Sequence, residues 1–256
     1  MLLCLDVGNS QIHGGVFAGD TLRCQFRKST HPLGSADELG IFFTSVLRES
    51  GLDPKEIRRV AICCVVPAAL YNLRAAAEKY FGCQSFVLQA GVKTGLKIRY
   101  RNPAEVGADR IAGAMAAALL QPNRDLIVVD SGTATTFDVI AATGDYLGGV
   151  ILPGVGASAD ALASHTAKLP RVDLSKPEAA LGRTTIESIQ SGLYHGHVGA
   201  IRYIVEQLKR EVFSTTTPYL FGTGGMFHWF QDERLVDQIV PELVLLGLKH
   251  AEAINR

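Results

Sequence analysis

Leu126-Ile-Val-Val-Asp130-Ser-Gly-Thr-Ala-Thr-Thr-Phe-Asp-Val-Ile140 is the stretch from which the fold is read. Its apolar opening reads as a buried strand ending in a carboxylate. Small and hydroxylated residues follow, and Phe137 resumes a strand-like run. Gly132 permits a tight turn and a close backbone approach to a ligand. A strand–turn–strand of this kind aims N–H groups and hydroxyls at phosphate oxygens, with Asp130 placed for a hydrated cation. The N-terminus repeats the pattern. Leu2-Leu-Cys-Leu-Asp6-Val-Gly8-Asn-Ser10 aligns without a gap on Leu126-Ile-Val-Val-Asp130-Ser-Gly132-Thr-Ala134. Two copies in register predict duplicated α/β halves, whose loops would meet in a cleft around a triphosphate.

Working outward, Ile12–Phe17 and Thr21–Phe26 read as strands, making an antiparallel meander of three with residues 2–7. Ser35 with Glu38 forms a capping-box signature for a helix to about Ser50, with Gly51 at its C′ position. Arg59–Val65 is a buried strand, Pro67 opens a helix to Tyr80, and Ser85–Leu88 is a short strand. A loop-rich, basic segment covers residues 89–106. Ala108–Leu120 is a small-residue helix, read as the hinge between the halves. The second half repeats the meander at 126–130, 134–141 and 145–151. Helices follow at Pro153–His165 and Thr185–Val212, then a strand at Pro218–Phe221 and a last helix from Pro241 or Glu242. The expected domains are 1–120, completed by the C-terminal helix 242–256, and 121–241.

Bulk composition narrows the class. At 47% hydrophobic and 20% charged over 256 residues, the chain reads as a compact α/β protein. Lys+Arg and Asp+Glu are both 25, so the basic excess of a nucleic-acid binder is missing. No apolar stretch approaches the length of a membrane span, and the N-terminal apolar run stops at Asp6, which argues against a signal peptide. Cys4, Cys24, Cys63, Cys64 and Cys83 are odd in number without C-x-x-C spacing. They predict reduced, mostly buried thiols and a cytoplasmic location. His195 and His197 lack neighbouring ligands for a metal and read as helix residues.

Two meander-plus-helix halves, each led by Asp-x-Gly, resemble the actin, sugar-kinase and heat-shock-ATPase superfamily: an α/β fold of two ribonuclease H-like (actin-like ATPase) halves, each a mixed sheet with flanking helices. A narrower resemblance rests on an ordered set of motifs. These are Asp6-Val-Gly-Asn-Ser10, Gly107-Ala-Asp-Arg110, Asp130-Ser-Gly-Thr-Ala-Thr-Thr136, Gly148-Gly-Val-Ile-Leu-Pro-Gly154, Thr166-Ala-Lys-Leu-Pro170 and Thr223-Gly-Gly225. Together they resemble the type III pantothenate kinase family over essentially the whole chain.

The resemblance implies ATP-dependent phosphorylation of pantothenate, the first step toward coenzyme A, by a homodimer using Mg²⁺ with ATP and a monovalent cation, K⁺ or NH₄⁺. It implies that Asp6, Val7, Gly8, Asn9, Ser10, Gln11, Ile12 and His13 contact ATP, with Asp6 also serving Mg²⁺, and that Thr133 meets ATP. It implies the monovalent cation at Asp130. Pantothenate is implied at Tyr100, Gly107, Ala108, Asp109, Arg110 and Thr185, with Asp109 the proton acceptor. Phosphoryl transfer to an alcohol needs a positioned hydroxyl, neutralised charge and a proton acceptor. Asp109 suits the last need, and Arg110 can pair with a carboxylate through its fork. Alternatives are a non-catalytic regulator on the same fold, or a kinase for another small hydroxylated substrate.

The chain departs from the family pattern at two places. Gly182-Arg-Thr-Thr185 stands for Gly-x-Asn-Thr, so Thr184 replaces Asn and changes local hydrogen bonding. Cys63-Cys-Val-Val-Pro67 stands for Ser-Ser-Val-Val-Pro. A Ser-to-Cys change in a buried strand keeps the size and loses a strong donor, and little effect is expected from it.

Overall fold

The computed structural model describes residues 1–256. In chain order the strands are β1 (Leu2–Val7), β2 (Gln11–Ala18), β3 (Thr21–Ser29), β4 (Arg59–Cys64), β5 (Ser85–Val87), β6 (Lys97–Ile98), β7 (Leu126–Ser131), β8 (Ala134–Ile140), β9 (Asp145–Pro153), β10 (Tyr219–Thr223) and β11 (Gln238–Ile239). The helices are α1 (Ala36–Glu49), α2 (Pro67–Phe81), α3 (Ala108–Leu120), α4 (Val155–His165), α5 (Thr185–Val212) and α6 (Leu243–Ile254). The chain divides into two compact units, Met1–Leu119 with Leu243–Arg256, and Leu120–Glu242.

In the first unit the sheet order is β3-β2-β1-β4-β5. β1, β2 and β3 form the antiparallel meander, and β4 and β5 add in parallel. Alternation sends Leu3, Leu5 and Val7 to one face, where Phe43 and Leu47 of α1 and Leu73 of α2 complete a dry core. Helix α1 begins where the capping box predicts, with Ser35 accepting from the Glu38 amide and Glu38 accepting from Ser35. Helix α2 starts on Pro67 and ends on left-handed Gly82, which suits each residue's backbone. On the opposite face α6 lies against β1 and β4. Gly247 packs on the Ala112 backbone too closely for any side chain. Arg59 and Glu252 add an ion pair at 2.7 Å.

In the second unit the order is β11-β10-β7-β8-β9, again an antiparallel meander extended by parallel strands. Ile127, Val129, Phe137 and Val139 bury against Leu193, Val198, Ile201 and Val205 of α5. β9 runs through Pro153, so α4 starts two residues later than the sequence pattern suggests, because the Gly154 amide donates to the Thr133 carbonyl at 3.0 Å. A 3₁₀ turn at Phe227–Glu233 and the short β11 carry no sequence signal. Phe227 seats its ring where Gly222 has no side chain, a packing decided far from either residue's neighbours. All five cysteines are free; only Cys4 and Cys63 are fully buried, while Cys24 within β3, Cys64 at the end of β4 and Cys83 after α2 are half-exposed. No helix is long and apolar enough to cross a membrane.

Candidate active site

The copied strands share a burial pattern as well as a sequence pattern. In both β1 and β7, four buried residues precede a half-buried Asp and one further buried residue. Each Asp therefore stands at the mouth of its sheet, where the strand gives way to a loop.

Around Asp6, residues directly opposite on adjacent strands share a face. The register aligns Arg27 of β3, His13 of β2, Asp6 of β1 and Cys63 of β4. His13 Nε2 lies 3.0 Å from Gln25 Oε1. Burial, and secondarily Arg27, hold its imidazole below the ordinary range, so it is neutral at pH 7. The turn after β1 closes through a Gly8 N–H bond to the Gln11 carbonyl at 3.0 Å. Thr30 clamps it: its hydroxyl donates to the Gly8 carbonyl at 2.7 Å, and its amide donates to the Ser10 carbonyl at 3.0 Å. Asn9, Ser10 and Gln11 form the exposed rim. Val7 and Ile12 belong to the core, so they can meet a nucleotide only through their backbone.

Asp109 lies in the first turn of α3, and its Oδ1 accepts the Arg110 amide at 2.8 Å. Burial pushes its carboxyl above the usual carboxylate range, with the Arg110 amide and charge opposing the shift in part. Gly107 leaves the space that the Asp109 carboxylate occupies. Cys63 is the neighbour of Asp6 in the β1–β4 register, and burial, with the charges of Asp6 and Asp109 adding to it, pushes its thiol up. Tyr100 follows β6 and is half-buried.

The second loop is built differently. Asp130 pairs across to Thr136 on β8 and Thr223 on β10. Gly224, at φ +93°, presses against the Asp130 carboxylate and the Ser131 carbonyl, and Gly154 presses against the Gly132 and Thr133 carbonyls. Any side chain at either glycine would overlap those oxygens. Met226 N–H donates to the Ser131 carbonyl at 2.9 Å, and Thr133 is exposed at the tip. Asp130 thus shares the Gly224 backbone as a neighbour with the Ser131 carbonyl, and oxygen donors of this kind are the ones a K⁺-like ion accepts. No cluster of three His, Cys, Asp or Glu is present, so a divalent ion held by this chain would rely on one carboxylate, water and substrate phosphates, which is how Mg²⁺ is usually held. The half-buried Asp6 beside the clamped turn fits that use.

Thr185 is the exposed first residue of α5. Thr184 is its N-cap, accepting the Glu187 amide at 3.2 Å, while the Arg183 amide donates to Glu187 at 2.8 Å. Asn and Thr both cap helices, so Thr184 keeps a capping side chain at this position. Between α4 and α5 lies a groove of about 1130 Å³ with Leu162, Ile189, Leu193, Gly192, Gly196 and Thr185 in its lining. A Cβ placed at Gly192, Gly196 or Gly199 would meet nothing of this chain within 4 Å, so no helix of the same chain packs tightly on these glycines. His197 lies in α5 with its ring nitrogens near the Leu193 and Pro153 carbonyls, at 2.7 and 3.3 Å, and His195 is exposed. Thr30 and the tight glycines at 154 and 224 are what sequence reasoning missed as parts of the site. Only the two glycines left a trace, as members of quoted motifs.

A model of the type III pantothenate kinase family matches residues 2–207. A type III pantothenate kinase of Legionella pneumophila (strain Corby) is 52% identical over 255 residues, covering 100% of this chain and 99% of the relative. Another from Elusimicrobium minutum is 44% identical over 256 residues, covering 100% and 99%. Among solved structures, the ROK hexokinase of Thermus thermophilus superposes with a TM-score of 0.51 at 17% identity, covering 98% of this chain and 97% of that one. The activator of 2-hydroxyisocaproyl-CoA dehydratase from Clostridium difficile, with bound ADPNP, gives 0.53 at 13%, covering 99% and 96%. These two are similar in fold.

Proposed function

The chain belongs to the type III pantothenate kinase family, and from that premise we propose how its residues divide the work. The reaction is ATP-dependent phosphorylation of pantothenate in coenzyme A biosynthesis, and the fold is that of the actin-like kinases. The two compact units are read as the two actin-like halves, with α6 completing the first.

In this reading Asp109 takes the proton from the pantothenate hydroxyl. The observation that carries it is the desolvated carboxylate at the start of α3. Burial strengthens it as a base, and a base is most useful when its pKa moves toward the working pH. Arg110, Gly107, Ala108 and Tyr100 hold the acceptor, the guanidinium pairing with the pantothenate carboxylate. The turn from Asp6 to His13 and Thr133 hold ATP. Thr30 keeps that turn in one shape, which spares the ordering cost on binding. Asp6 would hold the hydrated Mg²⁺ of ATP, and Asp130 would hold the monovalent cation. Bound there, these ions neutralise charge on the phosphates. The natural compartment is the cytoplasm, where thiols stay reduced and ATP is supplied.

A homodimer explains the groove. Gly192, Gly196 and Gly199 cost α5 roughly 1 kcal/mol each against Ala, and a Cβ on any of them would meet no atom of its own chain within 4 Å. Ile186 and Tyr203 are exposed on the same helix. A second copy packed on this face would offset the cost and bring Thr185 of the partner subunit to the pantothenate site. The test is ADP release with pantothenate, with and without K⁺, on mixtures of Asp109→Asn and Thr185→Val proteins. Mixed dimers should regain activity that neither protein has alone. No recovery after verified subunit exchange, or a monomer by light scattering, contradicts the shared site.

A further inference from the structure

Arg27 is a cation at the edge of the first sheet that the assignments above leave unused. The turn from Asp6 to His13 contains no Lys or Arg, and neither does the second loop from Asp130 to Thr136. A side-chain cation for phosphate oxygens therefore has to stand beside the loops rather than in them. In the register Arg27 of β3 faces His13 of β2, and His13 faces Asp6 of β1, so all three share one face. Two strand spacings, about 10 Å, separate the Arg27 and Asp6 backbones, with His13 between them and its Nε2 engaged by Gln25. Arg27 is exposed, and its head leans toward the turn: Nη1 donates to Oε1 of Gln11, on the rim, at 3.5 Å. A contact this long satisfies little of a fork with five N–H groups, so the fork is open to a stronger acceptor. The neighbouring cations are placed elsewhere. Lys28 alternates to the other face and lies 6.0 Å from the Phe42 ring centroid, and Arg23 is one turn of the pleat pattern further from the rim, beside the bulge at Val16 and Phe17.

We propose that Arg27 binds the phosphate chain of ATP, its fork taking phosphate oxygens while Asp6, two strands away on the same face, takes the hydrated cation. Mg·ATP has a cationic and an anionic part, and the two ends of this row match them in sign. An Arg fork fits phosphate geometry in a way that the point charge of Lys does not. The proposal rests on the assignment of the turn from Asp6 to His13 to Mg·ATP.

The test measures the Kd of ATP by phosphorus NMR, with Mg²⁺ and with EDTA, for full-length wild type, Arg27→Gln, Arg27→Lys and Asp6→Asn. Arg27 meets phosphate rather than metal, so Arg27→Gln should weaken ATP binding about tenfold in both conditions, the scale of one hydrogen bond to a charged group. Arg27→Lys keeps the charge without the fork and should lose only about threefold. Asp6→Asn should lose affinity only when Mg²⁺ is present. Added salt should shrink the loss in Arg27→Gln, because the side chain is exposed. The pantothenate KM should stay within about twofold in both Arg27 variants. Glutamine can still donate to Gln11, so Arg27→Gln that binds ATP like wild type, while Asp6→Asn binds Mg·ATP poorly, overturns the role of Arg27 alone. Equal losses in Arg27→Gln and Arg27→Lys overturn it too, since the charge would not be what was lost. A second readout needs no variant: ATP, or inorganic tripolyphosphate, should slow phenylglyoxal modification of Arg27 in the wild type, read by mass spectrometry, and leave Arg23 unaffected. An unchanged rate at Arg27 overturns the proposal even if a variant fails to fold. Unchanged Mg·ATP binding in Asp6→Asn overturns the assignment of the turn and this proposal with it.

Discussion

The loop after β1 and the loop after β7 begin from the same sequence pattern and the same burial pattern, yet they are held in opposite ways. The first is fastened by hydrogen bonds, with Thr30 taking up its carbonyls and its polar rim left outside. Its glycine is under no steric pressure, since a Cβ at Gly8 would lie 3.4 Å from the nearest atom, the Gln11 carbonyl oxygen. The second is fastened by contact. Gly154 and Gly224 close on its carboxylate and carbonyls from two other segments of the unit. Duplication supplied the carboxylate, and later neighbours decided what it faces. A loop with a clamped backbone and exposed side chains suits phosphates and a hydrated ion. A loop walled by oxygens suits a bare monovalent cation.

The largest expected effect lies outside both loops and shows whether they serve one chemical step. Asp109→Asn should lower kcat by roughly 10²–10⁴ while leaving the Mg²⁺ and K⁺ responses of the residual activity as in wild type. Stability should move the other way. Asp109 binds its proton more tightly folded than unfolded, so the wild type loses stability as pH rises from the ordinary carboxylate pKa through the raised one. Asn removes that loss, and thermal melting at pH 7 should show a Tm no lower than wild type. For the same reason wild-type kcat should fall on acidification at a higher pH than an ordinary Asp base would give.

The steric contrast comes next in size. Gly224→Ala should cost about 1–3 kcal/mol in chemical denaturation and blunt activation by K⁺, because its Cβ enters the Asp130 carboxylate. Gly8→Ala should stay within about 0.5 kcal/mol. Equal costs for the two would erase the distinction between a bonded loop and a packed one. The smallest effect is at α5. Thr184→Ala should cost about 1 kcal/mol through loss of the cap, and Thr184→Asn almost nothing. A large loss in Thr184→Asn would mean that the hydroxyl does more than cap.

Much of this was legible because it is local. An apolar run, Asp and Gly announce a strand and its turn, and Ser35 with Glu38 announces a cap, in any setting. The family motifs located Asp6, Asp109 and Asp130 by position. What stayed hidden depends on register and distant packing. Thr30 lies beyond the predicted strand Thr21–Phe26, and nothing local marks it until the turn it clamps is in place. Gly222 and Phe227 give no sign that one makes room for the other. Cys63 reads as an inert thiol until parallel pairing of β1 with β4 sets it beside Asp6.

The central claim is that two copied carboxylates serve two different cations. It is tested most directly by titrating Mg²⁺ and K⁺ separately against the initial rates of wild type, Asp6→Asn and Asp130→Asn. The account predicts a crossed result: Asp6→Asn needs more Mg·ATP and keeps the wild-type K⁺ curve, and Asp130→Asn flattens the K⁺ curve and keeps the wild-type Mg²⁺ requirement. If both variants shift the same curve, or neither shifts any, the division between the loops is contradicted.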